Sequence, residues 1–179
     1  MPPCLADATD LTHSRTQPDY GDAYTVLKPD IPYYFCEAFR MSLSIRNQLP
    51  GTVTGITAGE AMATVTVRLD GGQDITAAIT LDAVKDLGLA EGSAVRALVK
   101  STEVSLATGT VEGLSIRNQL PGTVDDVVAG GAMASVKVSV QGGELTSAIT
   151  KDAVTDLALV PGSSVVALIK STEVSLATA

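Results

Sequence analysis

From Leu43 onward the apolar positions fall in short runs, rich in β-branched residues and separated by glycine-containing breaks. Runs of this kind read as strands rather than helices. Residues 43–49 are strand-like and are expected to stop at Pro50-Gly51, a turn pair. Residues 52–57 carry β-branched side chains at alternate positions, and Ala58-Gly59-Glu60 then turns the chain into residues 62–69. Asp70-Gly71-Gly72 is a strong hairpin signal because glycine tolerates positive φ, and residues 75–80 make the return strand. One helix follows. Thr80 fits its N-cap, Asp82 its first turn and Gly88 its stop, while Ala83, Val84 and Leu87 supply an apolar stripe. Glu91-Gly92-Ser93 leads into two final strands over 94–100 and 103–106.

The whole pattern is written twice. The string Leu43-Ser44-Ile45-Arg46-Asn47-Gln48-Leu49-Pro50-Gly51-Thr52-Val53 returns letter for letter over residues 114–124, and residues 100–108 return over 170–178. A one-residue gap near Asp74 lowers the offset from 71 to 70, and about two thirds of aligned positions are identical. The second copy repeats every element, with Pro161 in place of Glu91. Four or five short strands and one short helix per copy predict an all-β fold of tandem OB-like Greek-key barrels. The domains are read as 41–109 and 110–179. The connection over 109–113 is too short for independent tumbling, so the copies are expected to form one rigid unit.

Composition adds a boundary. Residues 1–40 hold all four tyrosines, both phenylalanines, both cysteines, the one histidine (His13) and five of the eight prolines. They are read as a leader, poorly ordered or an upstream-start extension before Met41. Two cysteines there define neither a disulfide framework nor a metal knuckle. No apolar run approaches the roughly 18 residues of a membrane span, and the acidic first segment lacks the core of a secretory signal. Soluble and cytoplasmic is the expectation. Each copy lacks aromatic residues and buries limited apolar area, which favours association between copies and between chains.

The net charge is −8, and the repeats carry nine basic against fourteen acidic residues. An acidic body opposes nonspecific nucleic-acid binding, which depends on neutralising phosphates, and the repeats lack stacking aromatics. Any anion site must therefore work through local donors. On a strand over 43–49, Ser44, Arg46 and Gln48 would share one face, with Ile45, Asn47 and Leu49 on the other. A guanidinium between a hydroxyl and an amide reads an oxyanion well. The alternative is an ion pair of Arg46 with Glu103 or with a carboxylate at an interface. Lys100-Ser101-Thr102 is either an anion anchor or a solvated strand end, and Thr80 either a helix cap, an anion ligand, or both. The repeats contain no Cys or His for a transition metal, no calcium-loop spacing and no phosphate-loop pattern. No catalytic constellation is present, so the chain does not read as an enzyme.

Three motifs in order, each present twice, resemble the Mop (molybdenum–pterin-binding, TOBE-like) domain of the molbindins. They are 44–51 with 115–122, Ala78-Ile79-Thr80 with Ala148-Ile149-Thr150, and 100–104 with 170–174. The resemblance covers essentially all of 42–178 and none of 1–40. It implies a cytoplasmic, OB-like molybdate binder, with tungstate as a further possible ligand, that forms trimers and holds oxyanions between domains. It also implies the ligands: Ser44, Arg46, Thr80, Lys100 and Ser101 in the first copy, and Ser115, Arg117, Thr150, Lys170 and Ser171 in the second. One departure is Ile45 and Ile116, where the family often has Ala.

The chemistry agrees with this ligand. Molybdate is a tetrahedral dianion whose oxygens only accept hydrogen bonds, so hydroxyls, amides, Lys and Arg suffice. Monohydrogen phosphate carries a proton and prefers an acceptor; sulfate must be excluded by size. The reading is storage or homeostasis of molybdenum, with no nucleic-acid or membrane partner. The alternatives are a molybdate-sensing regulatory module acting on a protein partner and a purely structural oligomer.

Overall fold

The structure is a computed structural model that describes residues 43–178; the expectations for residues 1–40 lie outside them. Its longest strands are β1 (Asn47–Ala58) and, in the second copy, β6 (Asn118–Ala129). Each runs straight through the Pro-Gly pair that was expected to end a strand. Pro50 lies opposite Arg96 and Gly51 opposite Leu69, so the pair sits within the ladders. Gly51 is there for lack of a side chain: a Cβ would fall 2.5 Å from the Arg68 carbonyl oxygen and 2.8 Å from Val67 Cγ1. The bend comes later, at an irregularity between Val53 and Gly55, where one residue more on β1 opposes β2.

In the first copy β1 is followed by β2 (Met62–Leu69), β3 (Asp74–Thr80), α1 (Leu81–Asp86), β4 (Ala94–Val99), a 3-10 turn over Ser101–Glu103, and β5 (Ser105–Ala107). The second copy adds to β6 the strands β7 (Met133–Val140) and β8 (Gly143–Thr150), α2 (Lys151–Asp156), β9 (Ser164–Ile169), a 3-10 turn over Ser171–Glu173, and β10 (Ser175–Thr178). The expected strand over 103–106 is thus a 3-10 turn followed by a three-residue strand. Each curled sheet has five strands, in the orders β10-β4-β1-β2-β3 and β5-β9-β6-β7-β8.

The last strand of each copy is therefore exchanged. β10 pairs antiparallel with β4 of the first copy, Leu176 opposite Ala97, and β5 pairs with β9 of the second, Leu106 opposite Ala167. Within either sheet the order is that of an OB-like barrel, and the seam between β3 and β10 closes by packing without ladder bonds.

Alternation builds the core. Ala63, Val65, Val67 and Leu69 of β2 face inward, as do Ala134, Val136, Val138 and Val140 of β7. All of these except Ala134 join Leu49, Val53, Ile75, Leu120, Val124 and Leu145 in a single apolar cluster that spans both sheets. The β2–β3 and β7–β8 hairpin tips meet backbone to backbone. A Cβ on Gly71 would overlap the Gln141 carbonyl and Gly142 Cα, so the one-residue gap between the copies falls where the two hairpins touch.

Candidate anion site

β1 begins only at Asn47; Ser44 and Arg46 lie on irregular chain just before it. The expected common strand face of Ser44, Arg46 and Gln48 does not form. Gln48 instead turns its Nε2 back to donate to the Ile45 carbonyl at 3.0 Å, and Gln119 does the same to Ile116 at 3.1 Å. These bonds brace the loop that carries Arg46 and Arg117 while leaving both guanidinium groups exposed.

Four of the five expected positions in each copy lie on the chain segments that leave one end of a ladder, with Ser44 and Ser115 two residues out from Arg46 and Arg117. Asn47 lies opposite Val99, so Arg46 precedes and Lys100 follows the last pair of β1 and β4. Asn118 lies opposite Ile169 and sets Arg117 and Lys170 in the same relation. Ser101 and Ser171 open the 3-10 turns directly after the lysines. Among the described residues, the salt bridges are Arg68–Asp74, Lys85–Asp82 and Lys137–Glu144. The alternative pairing of Arg46 with Glu103 is not made, and Arg46, Lys100, Arg117 and Lys170 all stand without a carboxylate partner among the described residues.

The fifth position is elsewhere. Thr80 pairs with Met62, at the end of the first sheet opposite to Arg46 and Lys100. Its Oγ1 accepts from the Ala83 amide at 3.1 Å, and Thr150 Oγ1 accepts from Ala153 at 3.2 Å. Both threonines are thus N-caps. Accepting that bond uses a lone pair and leaves the hydroxyl proton available to a further acceptor.

Contacts run between the copies instead. Asn47, 1% exposed, donates Nδ2 to the Thr146 carbonyl at 3.0 Å and accepts from the Thr146 amide at 2.7 Å. Asn118 makes the same pair with Thr76, at 2.9 and 2.7 Å. Buried Ser147 donates to the Val104 carbonyl at 2.6 Å. The turn after Lys100 packs on β8, and the turn after Lys170 on β3. The cations of one copy therefore stand over the strand that ends in the other copy's threonine; Thr150 lies three residues beyond Ser147, about 10 Å along the strand. Asn47 and Asn118 were not singled out from the sequence. The available signal was a polar residue between Ile45 and Leu49, on the strand face opposite to Ser44, Arg46 and Gln48.

These features define a protein built from two OB-like units that share strands. The chain belongs to the TOBE domain family, which matches residues 43–106 and 114–176, and within it to the two-repeat proteins of the Mop kind. It is 41% identical over 136 residues to the molybdenum-pterin-binding protein MopB of Rhodobacter capsulatus, covering 75% of this chain and 50% of that one. It is 40% identical over 138 residues to the molybdenum transport protein ModE of Azotobacter vinelandii, covering 76% and 51%. The chain thus spans about half the length of these curated relatives. Against the solved structure of the cytoplasmic molybdate-binding protein ModG with molybdate bound, the TM-score is 0.75 at 41% identity, covering 78% of this chain and all of that one.

Proposed function

We propose that the chain is a non-enzymatic binder of molybdate, with tungstate as a second acceptable ligand, serving molybdenum storage or homeostasis. The observation that carries this reading is the placement of an Arg and a Lys beside one another at a ladder end, beyond reach of any described carboxylate, in a chain of net charge −8. Cations held in that way are free to meet an acceptor-only dianion. Hydrogen bonds to charged groups contribute roughly 1.5–3 kcal/mol each, so a handful suffices for selective capture. The molybdate-bound relative of the same two-repeat length supports the choice of ligand, and its description as cytoplasmic supports that location.

On this reading Ser44, Arg46, Thr80, Lys100, Ser101, Ser115, Arg117, Thr150, Lys170 and Ser171 are the donors. Because each threonine is held away from its own copy's cations, sites close between copies or between chains. A homo-oligomer, with a trimer favoured, supplies the second case, and each copy acts as one Mop domain within the residue ranges 41–109 and 110–179.

Titration calorimetry with molybdate, tungstate, sulfate and phosphate tests the proposal, together with a native mass. Heat with molybdate and tungstate, little with the other two, and a multiple of the chain mass are expected. Absence of heat with molybdate removes the proposal.

A further inference from the structure

The surroundings of the two capping threonines differ in charge. The residue after each cap, Leu81 or Lys151, donates its amide to the carbonyl of Ala61 or Ala132 at 2.9 Å. These bonds hold the β1–β2 and β6–β7 turns against the starts of α1 and α2. In the first copy that neighbourhood contains Glu60 in the turn and Leu81 after the cap; in the second it contains Gly131 and Lys151. Further along α1, Lys85 lies 3.5 Å from Asp82 and is spent on it, while its counterpart in α2 is Thr155. Of the charged groups on the turn and helix that meet at each cap, those beside Thr80 are Glu60, Asp82, Asp86 and Lys85. Around Thr150 they are Asp152, Asp156 and Lys151, and Lys151 has no carboxylate partner among the described residues.

We propose that the anion sites served by Thr150 are tighter and more salt-sensitive than those served by Thr80, and that Lys151 sets the difference. The inference rests on the reading of these threonines as oxyanion donors. Neighbouring Cα atoms are about 3.8 Å apart, so the Lys151 ammonium acts on an anion at Thr150 from within the roughly 8 Å Debye length of physiological salt. A dianion feels that charge twice over. At a separation of about 7 Å in a water-like dielectric, with and without screening, the attraction corresponds to a two- to sevenfold change in affinity. Loss of Glu60 from the equivalent turn acts in the same direction. Lys85 does not compensate, because its charge is directed to Asp82.

The experiment is molybdate calorimetry on the full chain at low and high salt, with Lys151→Leu and the reciprocal Leu81→Lys. The parent is expected to show two classes of site. Lys151→Leu should weaken the tighter class about two- to sevenfold at low salt and leave the weaker class in place. Leu81→Lys should strengthen the weaker class. Circular dichroism and native mass check that both variants keep the parent fold and assembly. If the parent binds molybdate but Lys151→Leu leaves both classes unchanged, or weakens them equally, the inference is overturned while the functional reading stands. A parent that binds no molybdate overturns both.

Discussion

The Asn47 side chain bonds Thr146 as a strand would, donating to its carbonyl at 3.0 Å and accepting from its amide at 2.7 Å. A side-chain amide has the same donor and acceptor as a peptide unit, so one residue of β1 serves as a neighbouring strand for β8, the edge of the other sheet. Asn118 does this for β3 through Thr76. Two edges that would otherwise present free ladder groups are thereby closed at these positions.

Removing that amide strands both backbone groups of Thr146 in a site where Asn47 is 1% exposed. Asn47→Ala is expected to destabilise by about 2–4 kcal/mol, and Asn118→Ala by a similar amount, since each leaves a donor and an acceptor unsatisfied. Asn47→Asp is expected to be at least as damaging, because it faces the Thr146 carbonyl with a second acceptor. Urea denaturation measures these differences; an Asn47→Ala midpoint equal to the parent's would refute the clamp.

Gly88 and Ala158 occupy equivalent positions just after α1 and α2, with φ of 60° and 48°. Only the second carries a Cβ, and the left-handed region costs a non-glycine residue roughly 1–2 kcal/mol. Ala158→Gly is therefore expected to stabilise the protein, by about 1 kcal/mol or less once the added freedom of the unfolded chain is subtracted. Gly88→Ala should do the reverse. Thermal melts of the two variants, run side by side, must shift in opposite directions for the argument to stand.

Strand alternation, the hairpin at Asp70-Gly71-Gly72 and the Thr80-capped helix were legible in the sequence because each is decided by neighbours a few residues away. The continuous strand through Pro50-Gly51 was not. That pair reads locally as a turn, and the reason for Gly51, the close approach of Arg68 and Val67, comes from a different strand. Strand exchange was hidden for another reason: Ser-Leu-Ala is common to β5 and β10, so either sheet receives the same side chains from either copy. In the candidate site, the cations were legible by residue type. Their distance from Thr80 was not, because it depends on which end of the sheet β3 finishes.

The hydrogen-bonded pair of Arg68 and Asp74 holds the Asp74 carboxyl below its ordinary range. A lowered folded-state pKa adds stability above the unfolded value, near pH 4, and that stability is lost as pH falls through the folded value. Both side chains are about half exposed, so the effect is small. Asp74→Asn should lower the melting temperature slightly at pH 7, and the deficit should shrink as pH falls through the folded-state value of the parent carboxyl. A deficit that does not change at all as the solution is acidified would assign the loss to packing rather than to the ion pair.

Exchange of β5 and β10 makes a crosswise prediction about local stability. Leu106 belongs to the first copy but packs opposite Ala167 of β9, and Leu176 belongs to the second but packs opposite Ala97 of β4. Both are 9% exposed, so truncation to Ala removes buried methyl groups at a cost of about 2–4 kcal/mol. The strands are only three and four residues long, which allows each to detach before the sheet itself unfolds. Native-state hydrogen exchange should then show Leu106→Ala lowering amide protection mainly in β9, and Leu176→Ala mainly in β4. Protection lost instead in β4 by Leu106→Ala would mean that each copy keeps its own last strand.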